Sequence, residues 1–404
     1  MLATTNWVGK KVLFAFLICC ACEVPGSSAA NSLPGMPPVI DPNDIYSETR
    51  AGKLSPVVKG FAELVYVPNS GSNTVDVIDQ HTFRIVDHFR VGRQPQHVTP
   101  AYDLKTLWVL NDLGDSLTKI DPATGKKGDT VTVKDPYNMY YTPDGKYAVV
   151  VAERVDRLDF RDPTTMALVD SLPVPCRGID HIDFSADGQF LIASCEFSGT
   201  LMKVAVAKRA VVGMLALGKS GGSAALGPVV MTRGMGNMAK RRAYDRRHAP
   251  TGSMPQDVKT SPDGKVFYVA DMLADGVHLI DGEKFVSIGF IPTGRGAHGL
   301  YPSRDSKLLY CSNRDEGTVS VISFAERKVV RKWTIPDGGS PDMGGVSADG
   351  KVLWLSGRYN KEVYAFDTSD GHLLARIPVG KGPHGLCVFP QPGRYSLGHT
   401  GILR

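Results

Sequence analysis

Residues 254–293 set a pattern that most of the chain repeats. A short apolar run entered through Pro255 ends at the turn Ser261-Pro262-Asp263-Gly264. Alternating apolar positions follow over 266–270, then 277–280, then a turn at Asp281-Gly282 and an outer run over 285–291. Period-two alternation punctuated by Asp-Gly turns predicts four antiparallel strands in about forty residues.

Anchoring on Asp263 aligns Asp103, Asp144, Asp187, Asp263, Asp305, Asp349 and Gln391, at successive separations of 41, 43, 76, 42, 44 and 42 residues. A unit of roughly 42 residues thus occurs seven times, with one insertion of roughly 34 residues. The strand pattern lapses over 219–254, which places the insertion there. Four strands at this period make one propeller blade, so the fold expected is all-β, a seven-bladed β-propeller with one long inserted loop. The first unit, beginning at Leu64, lacks an innermost strand, and residues 383–388 read as an innermost strand with no unit after it. Pairing the two halves closes the ring and removes both free sheet edges. A repeat array spreads one architecture along its length, so 61–404 reads as a single domain.

Before the repeats, Lys10 and Lys11 precede an apolar run over 12–22 that is too short to span a bilayer, and Ser28-Ala29-Ala30 offers small residues for cleavage. Residues 1–30 therefore read as a secretory signal peptide, with lipidation at Cys22 as the alternative. Residues 31–60, with Leu33-Pro34-Gly35-Met36-Pro37-Pro38, read as an irregular arm outside the fold. Hydrophobic residues at 42% and charged residues at 22%, with no second long apolar stretch, predict an exported globular chain without a membrane span.

Cys176, Cys195, Cys311 and Cys387 remain after the leader, and no Cys-x-x-Cys-His occurs, so covalent c-type haem is not expected in this chain. Cys195, Cys311 and Cys387 lie in strand-like runs and read as small buried hydrophobes; export permits disulfides, but spacing cannot pair them. The recurrent Asp-Gly at Asp144, Asp187, Asp263 and Asp349 is turn chemistry, with Asp bonding backbone ahead of it and Gly taking positive φ.

The residues that follow each unit's entry crowd around the central channel of such a fold. In register they are Gln96 and His97, Tyr137 and Asn138, Asp180 and His181, Gln256 and Asp257, His298 and Gly299, Asp342 and Met343, His384 and Gly385. His97, Asp180, His181, Asp257, His298, Asp342 and His384 are thereby brought to one funnel. Imidazole and carboxylate together suit a metal or small-anion site; the competing reading has them bonding neighbouring blades and water. No pair stands at fixed local spacing, so no tight transition-metal site is expected.

Within the insertion, residues 240–248 hold Lys240, Arg241, Arg242, Tyr244, Asp245, Arg246, Arg247 and His248, a dense positive charge in a chain of net charge +5. Guanidinium groups are poor bases but good bidentate clamps for carboxylates, and the charge suits an acidic partner surface, a haem propionate or a phosphate. Tyr244 and His248 are the members able to reach a neighbour's substrate or iron. A solvated loop is the other reading. Nucleic acid is disfavoured, because export opposes it and aromatic interleaving ends at Tyr244. There is no phosphate loop, nucleophile elbow or His-x-x-x-His pair, which argues against a stand-alone enzyme.

Leu64-Val65-Tyr66-Val67-Pro68-Asn69 with Asn73-Thr74-Val75-Asp76-Val77-Ile78-Asp79 resembles the YVTN family of bacterial seven-bladed propellers, from about residue 61 to the end. The leader, the missing haem motif and the basic insertion further resemble the β subunits of hydrazine synthases of anaerobic ammonium-oxidising bacteria. That resemblance implies a non-catalytic subunit in a complex with two c-type haem subunits. Such a complex reduces nitric oxide to hydroxylamine and condenses it with ammonium to hydrazine, in the anammoxosome lumen. The alternative is a free periplasmic propeller that binds a ligand in its funnel.

Overall fold

The computed structural model describes residues 1–4, 32–218, 223–225 and 252–404. Seven antiparallel sheets of four or more strands are arranged as expected for the blades of a propeller. The innermost strands of blades 2 to 7 are Pro95–Pro100, Asn138–Tyr141, Ile179–Phe184, Pro255–Thr260, Ala297–Pro302 and Pro341–Val346. Nearly all their residues are buried, whereas the outermost strands, such as Arg84–Arg90 and Lys126–Thr132, are largely exposed. Inner strands are covered on both faces by neighbouring blades, so second strands such as Ala148–Ala152 and Val266–Asp271 read as near-continuous apolar runs, whereas the rim strands meet water.

Closure takes the expected form. Cys387–Phe389 lies antiparallel to the first strand, pairing Leu64 with Phe389, Val65 with Val388 and Tyr66 with Cys387. Val65, Val67, Trp354, Val363 and Val388 then pack as one apolar cluster across the seam between blades 7 and 1.

The turn reading also holds. Thr142, Ser185, Ser261, Ser303 and Ser347 donate their hydroxyls to Asp144, Asp187, Asp263, Asp305 and Asp349 at 2.6–2.7 Å. The same carboxylates accept the backbone N–H two residues on, at 3.0–3.2 Å. Each turn thus supplies its own partners and fixes the register between two strands.

Three expectations need correction. Residues 32–60 belong to the fold: Leu33, Ile45, Tyr46 and Val58 are buried, the Ile45 N–H donates to Pro262 O at 2.8 Å, and Tyr46 Oη donates to Thr260 O at 2.7 Å. Four apolar side chains and their backbone partners on the blades outweigh the absence of periodicity. Cys195 is not a lone buried hydrophobe but is bonded to Cys176, while Cys311 and Cys387 are free and buried as read. Part of the insertion belongs to a blade: Ser223–Ala225 forms a fifth strand on the outer edge of blade 4, pairing with Leu215–Leu217. Residues 5–30 of the leader and the basic residues of 240–248 lie outside the described residues.

The chain beyond Phe389 turns back into the ring. Ser396–Gly398 pairs with the innermost strand of blade 3 through Gly398 and Tyr140, and Ile402–Leu403 pairs with Ser396–Gly398, making that sheet six-stranded. Leu397, His399, Thr400 and Leu403 are buried, and the Arg404 guanidinium reaches Asp183 at 3.0 Å.

Candidate functional site: a histidine funnel on the propeller axis

The register derived from the repeat brings the predicted residues together. His97, Asp180, His181, Asp257, His298, Asp342 and His384 sit at the starts of innermost strands, or beside one, and none is more than 2% exposed. Ring centroids lie 4.8 Å apart for His97 and His384, 5.8 Å for His97 and His181, 6.0 Å for His298 and His384, and 6.2 Å for His181 and His298. A fifth imidazole, His399 from the returning tail, stands among them, 4.8 Å from His181 and 5.2 Å from His97. Gly385 makes this packing possible, because a Cβ there would fall 2.0 Å from His97 Nδ1.

The three carboxylates differ in their surroundings. Asp342 accepts from Arg314 Nε at 2.9 Å and Nη2 at 2.5 Å, and lies 2.7 Å from His384 Nδ1 and 3.1 Å from His298 Nδ1. Burial pushes its carboxyl up, but Arg314, His298 and Arg358 together outweigh burial and hold it below the usual range. Asp257 accepts from Lys259 Nζ at 3.0 Å and from the N–H groups of Val258 and Leu300 at 2.9 Å; burial still leaves its pKa raised. Asp180 stands 3.2 Å from His181 Nε2 without good hydrogen-bond geometry to either oxygen. Burial, with Glu196, Glu153 and Asp257 adding, raises it far above an ordinary aspartate.

All five imidazoles are driven toward the neutral form, chiefly by burial, His181 to about 3. Neutral imidazole keeps one lone pair and one N–H, which suits ligation or a hydrogen-bonded guest. Both nitrogens of His97, Nε2 of His181 and Nε2 of His399 have no hydrogen-bond partner.

Around this floor the residue after each second strand completes the mouth: Ser70, Asp112, Glu153, Glu196, Met272, Arg314 and Arg358. Acids occupy blades 2 to 4, and arginines occupy blades 6 and 7. Burial and the neighbouring acids, Glu196 foremost, push Glu153 up to about 8, and burial together with Asp135 pushes Asp112 up to about 7. The sequence reading named none of these, although the same repeat register followed one loop further would have found them. His399 has no counterpart in any blade, so alignment could not find it; its signal was the apolar spacing of Tyr395, Leu397, Ile402 and Leu403. A cavity of about 50 Å³, lined by Tyr301, Val346, Gln391 and Gly401 among others, lies at the opposite end of the innermost strands, behind the tail.

The model of the YNCE-like beta-propeller family matches residues 35–163 and 237–394. The chain belongs to the YNCE-like β-propeller family. Among solved structures, this propeller is similar to a functionally unknown protein from Desulfotomaculum acetoxidans, with a TM-score of 0.63 and 15% identity over 81% of this chain and 99% of that one. It is also similar to Kuenenia stuttgartiensis hydrazine synthase, with a TM-score of 0.60 and 18% identity over 86% of this chain and 99% of that one. A third likeness is to the dihydro-heme d1 dehydrogenase NirN in complex with DHE, with a TM-score of 0.56 and 15% identity over 84% of this chain and 77% of that one. At these identities the likeness is one of fold. No curated protein sequence matches the chain. Among the described residues, no helix is long and apolar enough to cross a membrane.

Proposed function

We propose that this propeller is a non-catalytic subunit of an extracytoplasmic enzyme complex whose two partner subunits carry c-type haem, a hydrazine synthase-like assembly forming hydrazine from nitric oxide and ammonium. The observation that supports it is that the fold closes without the insertion. Blade 4 already has four strands before Ser223–Ala225 is added, and blade 5 begins at Pro255–Thr260 with its own complete sheet. A basic segment that no blade needs is free to serve a partner, and the fold shared with hydrazine synthase agrees with this reading. In it, Arg241, Arg242, Arg246 and Arg247 clamp carboxylates of the neighbour while Tyr244 and His248 approach its site.

The test is whether reading frames adjacent to the gene encode proteins rich in Cys-x-x-Cys-His, and whether such proteins, co-expressed with this chain, co-purify with it. A haem-bearing partner should be retained, and replacing 240–248 by a Gly-Ser linker should leave the propeller folded while weakening association or altering haem spectrum and turnover. An assembly with unchanged affinity, spectrum and activity overturns the role of the segment.

A second reading, that the funnel binds a small ligand, is favoured by the unpartnered nitrogens of His97, His181 and His399. Ligand-induced thermal stabilisation in the isolated chain, lost on substitution of His97, would separate it from the first.

A further inference from the structure

We propose that His181, Asp257 and His399 bind a divalent first-row transition metal of zinc-like character at the propeller axis. One donor atom from each lies within 4.8 Å of the others, and all three residues are fully buried. They come from three separate places, the innermost strands of blades 4 and 5 and the returning tail, so an ion here would join the tail to the ring.

A further observation points to a ligand in this gap. The Nε2 atoms of His181 and His399 have no hydrogen-bond partner, although both rings are wholly buried. A buried donor or acceptor left unmatched is costly, and a bound ion satisfies both at once. On the other face of the rings, Asn138 Nδ2 stands 3.2 Å from both His181 Nδ1 and His399 Nδ1, nearer than Asn138 Oδ1 to His399 Nδ1 at 3.4 Å or Tyr140 Oη to His181 Nδ1 at 3.5 Å. That amide opposes the metal-binding tautomer, because Nε2 presents its lone pair to the gap only when Nδ1 carries the ring proton. Asn138 is itself fixed by the Met139 N–H at 2.9 Å to its Oδ1.

Asp257 supplies the anionic donor, held by the Val258 and Leu300 N–H groups at 2.9 Å. Asp180, 1% exposed and 3.2 Å from His181 Nε2, is the nearest further donor. A tetrahedral zinc ion with bonds of about 2.0–2.2 Å holds its donors roughly 3.4 Å apart, close to that separation. Two imidazoles and two carboxylates around a dication make a neutral set of borderline ligands, the kind that zinc accepts. His399 sits on a short tail rather than within a blade, so it is the ligand best placed to move inward.

A second group also opposes the ion. Lys259 Nζ stands 3.0 and 3.2 Å from the two oxygens of Asp257 and competes for the same carboxylate. That competition gives the proposal a sign: removing the lysine should tighten the metal, not loosen it. The sequence-based expectation of no tight metal rested on the lack of ligands at local spacing, and these three donors are far apart in the chain.

The experiment uses the full mature chain, stripped with chelator and titrated with Zn²⁺ against a chromophoric competitor and with Co²⁺ for its visible spectrum, with circular dichroism confirming the fold of each variant. One Zn²⁺ per chain, a tetrahedral Co²⁺ spectrum and a raised thermal midpoint are expected. His399→Ala should abolish stoichiometric binding, while Lys259→Met, and Asn138→Asp, which sets an acceptor beside both Nδ1 atoms, should each strengthen it. A metal content below a tenth of stoichiometric with no Co²⁺ spectrum in either the parent chain or Lys259→Met overturns the proposal, leaving an ordered water in the gap. Binding that persists unchanged in a folded His399→Ala variant overturns it as well.

Discussion

His384 Nδ1 lies 2.7 Å from Asp342 Oδ2, joining the strand that leads into the closure to the innermost strand of blade 7. The pair is not an ordinary ion pair. Burial, reinforced by Arg358, His97 and Arg314, holds His384 well below 6.5, so a neutral ring donates to a carboxylate whose charge Arg314 balances. His298 is depressed in the same way by burial and Arg314.

These shifts fix the acid response. Histidines in the unfolded chain take up protons near pH 6.5 while His298 and His384 in the folded chain do not, so stability falls as pH drops from about 6.5, by about 1.4 kcal/mol per pH unit for each histidine. Asp342, depressed in the fold, adds a second loss as pH falls through about 4. Chemical denaturation between pH 8 and 5 should show the first slope, and His384→Asn should reduce it by about one histidine's share. A stability independent of pH over that window would refute the assignment.

Closure can be tested without deleting the tail. Val388 is fully buried in the closing strand and faces Val65. Val388→Asp should cost more than about 3 kcal/mol, because it buries an unpaired charge at the seam, while an exposed rim change such as Val330→Asp should cost less than about 0.5 kcal/mol. Equal unfolding midpoints for the two variants would count against closure by this strand.

The tail's end is held by a buried ion pair. Arg404 Nη2 reaches Asp183 Oδ1 at 3.0 Å, and Asp183 Oδ2 also accepts from the Thr260 N–H and hydroxyl at 2.8 and 2.9 Å. Arg404→Met should destabilise by about 3–5 kcal/mol, since it strands the carboxylate, whereas Arg404→Met combined with Asp183→Asn should recover part of that loss. Additive losses in this double-mutant cycle would show that the two groups do not interact.

The Cys176–Cys195 bond closes a short loop, with a sequence separation of 19 residues. Cys195→Ser should lower stability by about 3 kcal/mol, the loop-entropy value for that length, and reductant should reproduce the effect in the parent chain. A midpoint insensitive to both would indicate that the bond does not form.

The sequence by itself determined the architecture, because a propeller's strands, turns and closure are local or periodic. The turns carry their own partners, so the spacing of Asp103, Asp144, Asp187, Asp263, Asp305, Asp349 and Gln391 counted the blades, and the half-units at Leu64 and Cys387 could only complete each other. The same register placed His97, His181, His298 and His384 at one end of the innermost strands and so brought them to the axis. What it could not place were groups whose positions depend on long-range packing. His399 follows the last repeat, and only the pairing of Gly398 with Tyr140 carries it into the ring. Leu33, Ile45 and Tyr46 lack strand periodicity, and their burial comes from the surfaces that blades 4 and 5 offer them. Cys176 and Cys195 meet because the entry to blade 4 crosses the end of its second strand, a proximity that spacing alone does not encode. The state of the funnel was likewise decided in three dimensions: enclosure by seven blades and a tail strips water from five imidazoles, and that desolvation sets their charge.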